Sequence, residues 1–178
     1  MTEFALFDTP IGPCGVAWTG DVIEGVQLSE ARTIDTRRRL QDRFEGATEA
    51  TPPVAIQDVI RRMVESLRGE ADDLVDVLLD FDALPPFRRK VFEVVRTIPA
   101  GETMSYGEVA AAVGSPGAAR AVGQALGRNP YPIVVPCHRV LAANGALHGF
   151  SAPGGIVTKR RMLEIECAPG FTQVALFQ

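Results

Sequence analysis

Leu84-Pro85-Pro86 is the feature that most constrains how this 178-residue chain can fold. Consecutive prolines remove two backbone donors and push the residue before each toward extended geometry, so no helix or central strand is expected to run through them. The texture of the sequence changes there. Before the break, residues 4–28 alternate short apolar pieces (FALF, VAW, VIEGVQL) with turn signals at Thr9-Pro10, Gly12-Pro13 and Gly20-Asp21, the pattern of strands joined by tight turns. Residues 34–44 and 54–67 carry apolar side chains at helical spacing, the second stretch after Thr51-Pro52-Pro53 as a start signal. Residues 74–81 (LVDVLLDF) predict a further strand. After the break, residues 87–97, 106–113 and 118–127 predict three helices, and Ser105-x-x-Glu108 has the form of a capping box opening the second. The last two, joined by Gly114-Ser115-Pro116-Gly117, outline a helix-turn-helix. The expected division is an N-terminal α/β domain (1–84), a mainly helical C-terminal domain (85–167) and a tail (168–178).

Charge divides at the same place. The whole chain carries −4, which argues against a polyanionic partner, but the sum hides its distribution. Residues 1–84 hold 8 Lys and Arg against 17 Asp and Glu, net −9; residues 85–178 hold 10 against 5, net +5. The C-terminal half is therefore the candidate for binding nucleic acid, although two solvated surfaces of unequal composition give the same numbers. The helix expected at 118–127 is mostly Ala and Gly around Arg120 and Gln124. Such a helix suits either the narrow minor groove, with one long cation entering the base stack, or tight packing on a neighbouring helix.

Three cysteines, Cys14, Cys137 and Cys167, stand at wide spacing and form neither a disulfide framework nor a paired zinc motif. No apolar run approaches the ~20 residues of a membrane span, and residues 1–12 lack the order of a signal peptide, so the expectation is a cytoplasmic protein.

The sharpest motif runs Asn129-Pro130-Tyr131-Pro132-Ile133-Val134-Val135-Pro136-Cys137-His138-Arg139-Val140. It combines a turn, a β-branched run expected to be buried, and a cysteine between Pro and His. A free thiol has pKa ~8.5, so a reactive one needs a base or a positive field beside it, which His138 and Arg139 are placed to supply. Neighbours on an extended segment point in opposite directions, so His138 meets Cys137 only if the backbone turns there. Inert packing of Cys137 is the other reading.

Taken with Ser105-Tyr106-Gly107-Glu108, Ala118-Ala119-Arg120-Ala121-Val122-Gly123 and Asn129-Pro130, the run Pro136-Cys137-His138-Arg139-Val140 resembles the O6-alkylguanine-DNA alkyltransferase family (methylated-DNA–protein-cysteine methyltransferases). The likeness is dense from about residue 87 to 166 and thinner before it, where Thr9-Pro10-Ile11-Gly12 matches. The resemblance implies repair by direct reversal: stoichiometric, irreversible transfer of an alkyl group from O6-alkylguanine in duplex DNA to Cys137, with O4-alkylthymine a second candidate substrate. It implies His138 as the base acting through a water, Glu166 orienting it, and Asn129 holding the turn that aims the cysteine. Tyr106 would rotate the nucleotide's phosphate and donate a proton to the guanine, and Arg120 would fill the space of the flipped base. Ser105, Ala118, Ala119, Gly123 and Arg128 would lie along the DNA. Val140, Phe150, Ser151 and Pro132 would line the base pocket. A base must leave the stack before sulfur, carbon and oxygen can align. Arg128, Lys159, Arg160 and Arg161 are candidate phosphate contacts, the last three read first as a solvated helix face.

No cofactor is expected, since the damaged DNA is the alkyl donor. No metal is expected either, because Cys14 has no Cys or His partners in the N-terminal half. Phe150 stands where many relatives have Tyr, and the loop 151–156 is about two residues longer than in familiar members. By the same resemblance the fold is a ribonuclease H-like α/β domain followed by a winged-helix-like domain, in a monomer. Two rivals are a lesion-binding module without transfer, which the presence of Cys137 opposes, and a helix-turn-helix regulator with a sensing cysteine, for which few base-reading side chains are available.

Overall fold

Three strands form where the turn signals leave apolar runs between them. They are β1 (Glu3–Phe7), β2 (Cys14–Thr19) and β3 (Val22–Gln27), antiparallel in the order β1-β2-β3, in a computed structural model that describes residues 1–148 and 152–172. Side chains alternate across the sheet with period two. Cys14, Val16 and Trp18 face the main core, while Ala17 and Phe4 face the other side, against Leu40 of α1 (Thr33–Arg43). That face admits the helix closely because residue 15 is glycine: a Cβ there would sit 2.2 Å from Leu40 Cδ1. Two residues, β4 (Thr48–Glu49), add a parallel edge beside β1. Then α2 (Val54–Ser66) turns Ile56, Val59 and Met63 into the main core.

The strand expected at 74–81 is absent. A single parallel bridge of Leu79 to Ile23 stands in its place, the Ile23 N–H donating to the Leu78 carbonyl at 2.9 Å and the Asp80 N–H to the Ile23 carbonyl at 3.0 Å. Leu74 adopts φ +52°, and the carbonyls of Leu74, Val75 and Val77 each accept from Arg96 Nη2 at 2.9 Å. Carbonyls that converge on one guanidinium cannot also point in register at a neighbouring strand, so apolar content misled the reading.

The prolines at the break open α3 (Pro86–Val95), with Pro85 as its N-cap and Pro86 at the first position, where a missing N–H costs nothing. Val91, Phe92 and Val95 enter the same core as Trp18 and Met63. After β5 (Met104–Ser105) comes α4 (Tyr106–Ala112), opened by the expected capping box: the Glu108 N–H donates to Ser105 Oγ at 3.1 Å, and the Ser105 N–H donates to Glu108 Oε2 at 2.6 Å. The turn to α5 (Ala119–Leu126) uses positive φ at Gly114 and Gly117, and Val109, Ala110, Val122 and Ala125 bury the contact between the two helices. A 3-10 turn, Cys137–Arg139, leads into β6 (Val140–Leu141), parallel to β5, and α6 (Gly155–Ile165) closes the site. Among the described residues no helix is long and apolar enough to cross a membrane.

Candidate active site

The segment carrying the cysteine is a chain of turns. The Asn129 side chain folds it, accepting from the Tyr131 N–H at 2.9 Å and donating Nδ2 to the Val135 carbonyl at 2.9 Å. Ile133 takes φ +76°, a strained choice for a β-branched residue, and Ile133, Val134 and Val135 are buried without forming a strand. The backbone does turn at the cysteine: Cys137 and His138 sit on the 3-10 turn, not on an extended segment.

Behind Cys137 lies a charge network. His138, 2 % exposed, meets Glu166 Oε1 through Nε2 at 2.8 Å, and its Nδ1 is buried with no partner among the described residues. Arg139 grips the same carboxylate through Nε at 3.1 Å and Nη2 at 2.8 Å, and gives Nη1 to the Ile98 carbonyl at 2.6 Å. Burial alone raises the Glu166 pKa, but His138 and Arg139 outweigh it and bring the value from 4.5 to about 2. Burial pulls His138 below its ordinary value, with Glu166 opposing. An ionised Glu166 beside a neutral imidazole fixes the tautomer: Nε2 carries the hydrogen and Nδ1 is left as a bare acceptor.

Arg139 is therefore not the cation that faces the thiol. That cation is Lys159, only 1 % exposed, whose Nζ donates to the Val140 carbonyl at 2.7 Å and lies 3.5 Å from Tyr106 Oη. Burial pushes the Cys137 thiol up, whereas the Asn129 carboxamide and the Lys159 ammonium favour its thiolate. Burial likewise pulls Lys159 down, the Cys137 charge opposing. Tyr106 is raised by burial and then by the Cys137 charge, so its hydroxyl keeps its proton as a donor. The burial of Lys159 departs from the solvated or phosphate-binding side chain expected from sequence. The missed signal is its spacing, since Lys159, Met162 and Leu163 share the buried face of α6.

Cys137, 8 % exposed, lines a cavity of about 290 Å³ together with Tyr106, Asn129, Pro132, Ala152, Pro153 and Lys159. The volume stands near the lower end of the roughly 300–1,000 Å³ of small-molecule sites. Val26, Leu28 and Arg43 of the N-terminal half also line the cavity. Of the pocket residues named from sequence, Pro132 is in the lining, Val140 lies fully buried with its carbonyl taken by Lys159, and Phe150 and Ser151 fall outside the described residues. Outward from the cavity, Arg120 is exposed on α5 with no ion-pair partner among the described residues. Ala118, Ala119 and Gly123 are half-buried on the same helix region, Gly123 backing the Tyr106 ring, and Arg128 is exposed beyond it. Ser105 serves as the cap that starts α4 at Tyr106. Arg160 and Arg161 are exposed, the former stacked 5.7 Å from the Phe171 ring centre.

Comparison with known proteins gives a consistent result. Residues 86–168 match the family described as the 6-O-methylguanine DNA methyltransferase DNA-binding domain. The methylated-DNA–protein-cysteine methyltransferase of Mycobacterium bovis is 39% identical over 178 residues, covering 99% of each chain. That of Shigella flexneri is 38% identical over 164 residues, 89% of this chain and 91% of its own. Among solved structures, the O6-methylguanine methyltransferase of Mycobacterium tuberculosis superposes with a TM-score of 0.74 at 37% identity, covering 94% of this chain and 93% of its own. The M. tuberculosis OGT in complex with DNA gives 0.75 at 36%, covering 95% and 96%.

Proposed function

The chain belongs to the methylated-DNA–protein-cysteine methyltransferase family, and from that premise we propose that Cys137 accepts the alkyl group, with the surrounding side chains in the roles set out below. The protein repairs alkylated DNA by direct reversal and binds duplex DNA to do so. Its overall architecture is mixed α/β. The finer reading is a ribonuclease H-like unit over residues 1–84, a winged-helix-like unit over 85–167 and a tail from 168. The change of texture and charge at Pro85 supports that division.

Transfer begins with a thiol, because burial holds Cys137 protonated at rest. The bare Nδ1 of His138 accepts the proton through a water, and the resulting imidazolium is stabilised by Glu166, which Arg139 keeps ionised. Lys159 and Asn129 stabilise the thiolate as it forms. Sulfur then attacks the alkyl carbon in line with O6; the S–C bond forms as the C–O bond breaks, and the electron pair left on guanine is neutralised by the Tyr106 proton. A thioether has no ready leaving group, so each molecule reacts once. Arg120, exposed and without an ion-pair partner among the described residues, takes the place of the flipped nucleotide, and the small residues of α5 let the backbone approach the minor groove. The reading rests above all on a thiol opening into a cavity between a base and a cation.

Incubating the protein with an oligonucleotide containing O6-methylguanine and analysing its peptides by mass spectrometry tests the assignment. The expected result is one methyl group on the peptide holding Cys137, absent in Cys137→Ala. Repair that continues through many turnovers per molecule would overturn it.

A further inference from the structure

Arg43 ends α1 in the N-terminal half, yet it reaches the acceptor segment. Its Nη2 donates to the Pro130 carbonyl at 2.7 Å and its Nη1 to the Val26 carbonyl at 3.0 Å. The Val26 N–H donates to the same Pro130 carbonyl at 2.8 Å, so that oxygen receives two donors from the other half of the chain. Pro130 follows directly on Asn129, whose carboxamide folds the segment, lines the same cavity as Cys137 and favours its thiolate. Space for the guanidinium exists because residue 25 is glycine: a Cβ there would lie 2.5 Å from Arg43 Nη2 and 2.6 Å from Phe44 Cζ. The Phe44 ring, 5.0 Å from the guanidinium carbon, backs it on one side.

We propose that Arg43 is a positioning residue for alkyl transfer, pinning the Pro130 carbonyl to β3 so that Asn129 stays aimed at the sulfur of Cys137. The proposal rests on Cys137 being the acceptor. Two donors on one carbonyl restrain both the distance and the direction of the turn, whereas the Val26 N–H alone leaves it free to pivot about a single bond. Misplacement of a reacting group by about 1 Å costs on the order of 100-fold in rate, so partial loosening of Asn129 is expected to cost about tenfold.

The test uses the full chain and free O6-benzylguanine, which reports the acceptor chemistry without DNA, alongside an O6-methylguanine duplex. Arg43→Ala is expected to lower the maximal transfer rate about tenfold on both substrates, with half-saturation by duplex changed less than about twofold. The alkaline-rising limb of its pH–rate profile is expected at higher pH, because a displaced Asn129 no longer favours the thiolate. Gly25→Ala, which keeps the arginine but fills its seat, is expected to reproduce both effects, and Arg43→Lys to restore part of the rate. If Arg43→Ala does not fold, Gly25→Ala and Arg43→Lys decide by the same criteria. Wild-type rates in these variants, or a slower rate with an unmoved pH profile and a parallel drop in melting temperature, would overturn the proposal. Absence of an adduct on Cys137 in the wild-type protein would instead remove the acceptor assignment beneath it.

Discussion

At the scale of single residues, the site places one cation where it acts on sulfur and another where it acts on a carboxylate. Arg139 follows His138 in sequence, yet its guanidinium turns inward to Glu166 and Ile98, and Lys159 from α6 meets the sulfur's field instead. The division has a physical logic: a permanently charged, bidentate arginine keeps Glu166 ionised, while a lysine softened by burial lies near a thiol that must gain and lose charge. Lys159→Met is expected to raise the Cys137 pKa further, because it removes an opposite charge from an already desolvated thiol. The alkaline-rising limb of the pH–rate profile should move up by about one unit, with transfer at neutral pH slowed about tenfold. Rapid-quench kinetics with O6-benzylguanine across the pH range would measure it; an unmoved limb would assign Lys159 to packing alone. Sequence resemblance singled out Cys137, His138 and Glu166 for the roles proposed above, and the fold brings His138 Nε2 to 2.8 Å from Glu166 Oε1. The role of Lys159 was not, because a lysine is read as solvated unless its helix face is known.

At the scale of elements, helices were the most legible parts, because caps and prolines mark their ends locally. The Ser105–Glu108 box stands where the sequence put it, and the helix expected from residue 87 begins one residue earlier, at Pro86. Segments whose shape depends on distant partners were less legible: residues 74–81 lose their strand to Arg96, and residues 133–135 are buried as turns that Asn129 folds. The pair α4 and α5 presents Tyr106 at the first turn of one helix and Arg120 at the first turn of the other. Arg120→Ala is accordingly expected to slow repair in duplex DNA by 100-fold or so while leaving reaction with free O6-benzylguanine within about twofold, since only the duplex requires a nucleotide to be extruded. Parallel single-turnover assays on the two substrates would show it, and equal losses would remove Arg120 from nucleotide extrusion.

At the scale of the whole molecule, one hydrophobic cluster runs from Val16 and Trp18 through Val91 and Phe92 to Val122 and Met162, so the two halves share a core. Polar ties cross the same boundary: Arg96 holds three carbonyls of residues 74–77, and the Tyr131 hydroxyl donates to the Asp80 carbonyl. Arg96→Ala strands part-buried acceptors and should cost about 2–3 kcal/mol, with unfolding still a single transition because the core is common. Urea denaturation followed by both fluorescence and circular dichroism would test this, and two separated transitions would show independently stable halves. By itself the sequence determined where the helices between residues 33 and 127 begin, where the charge changes sign and which thiol stands in a reactive motif, since each of these depends on residues close together in the chain. Tertiary structure alone decided that the N-terminal half walls the cavity, that Lys159 rather than Arg139 faces the sulfur, and that Arg43 reaches Pro130. Those contacts join positions dozens of residues apart, and their energy comes from packing that no local pattern encodes.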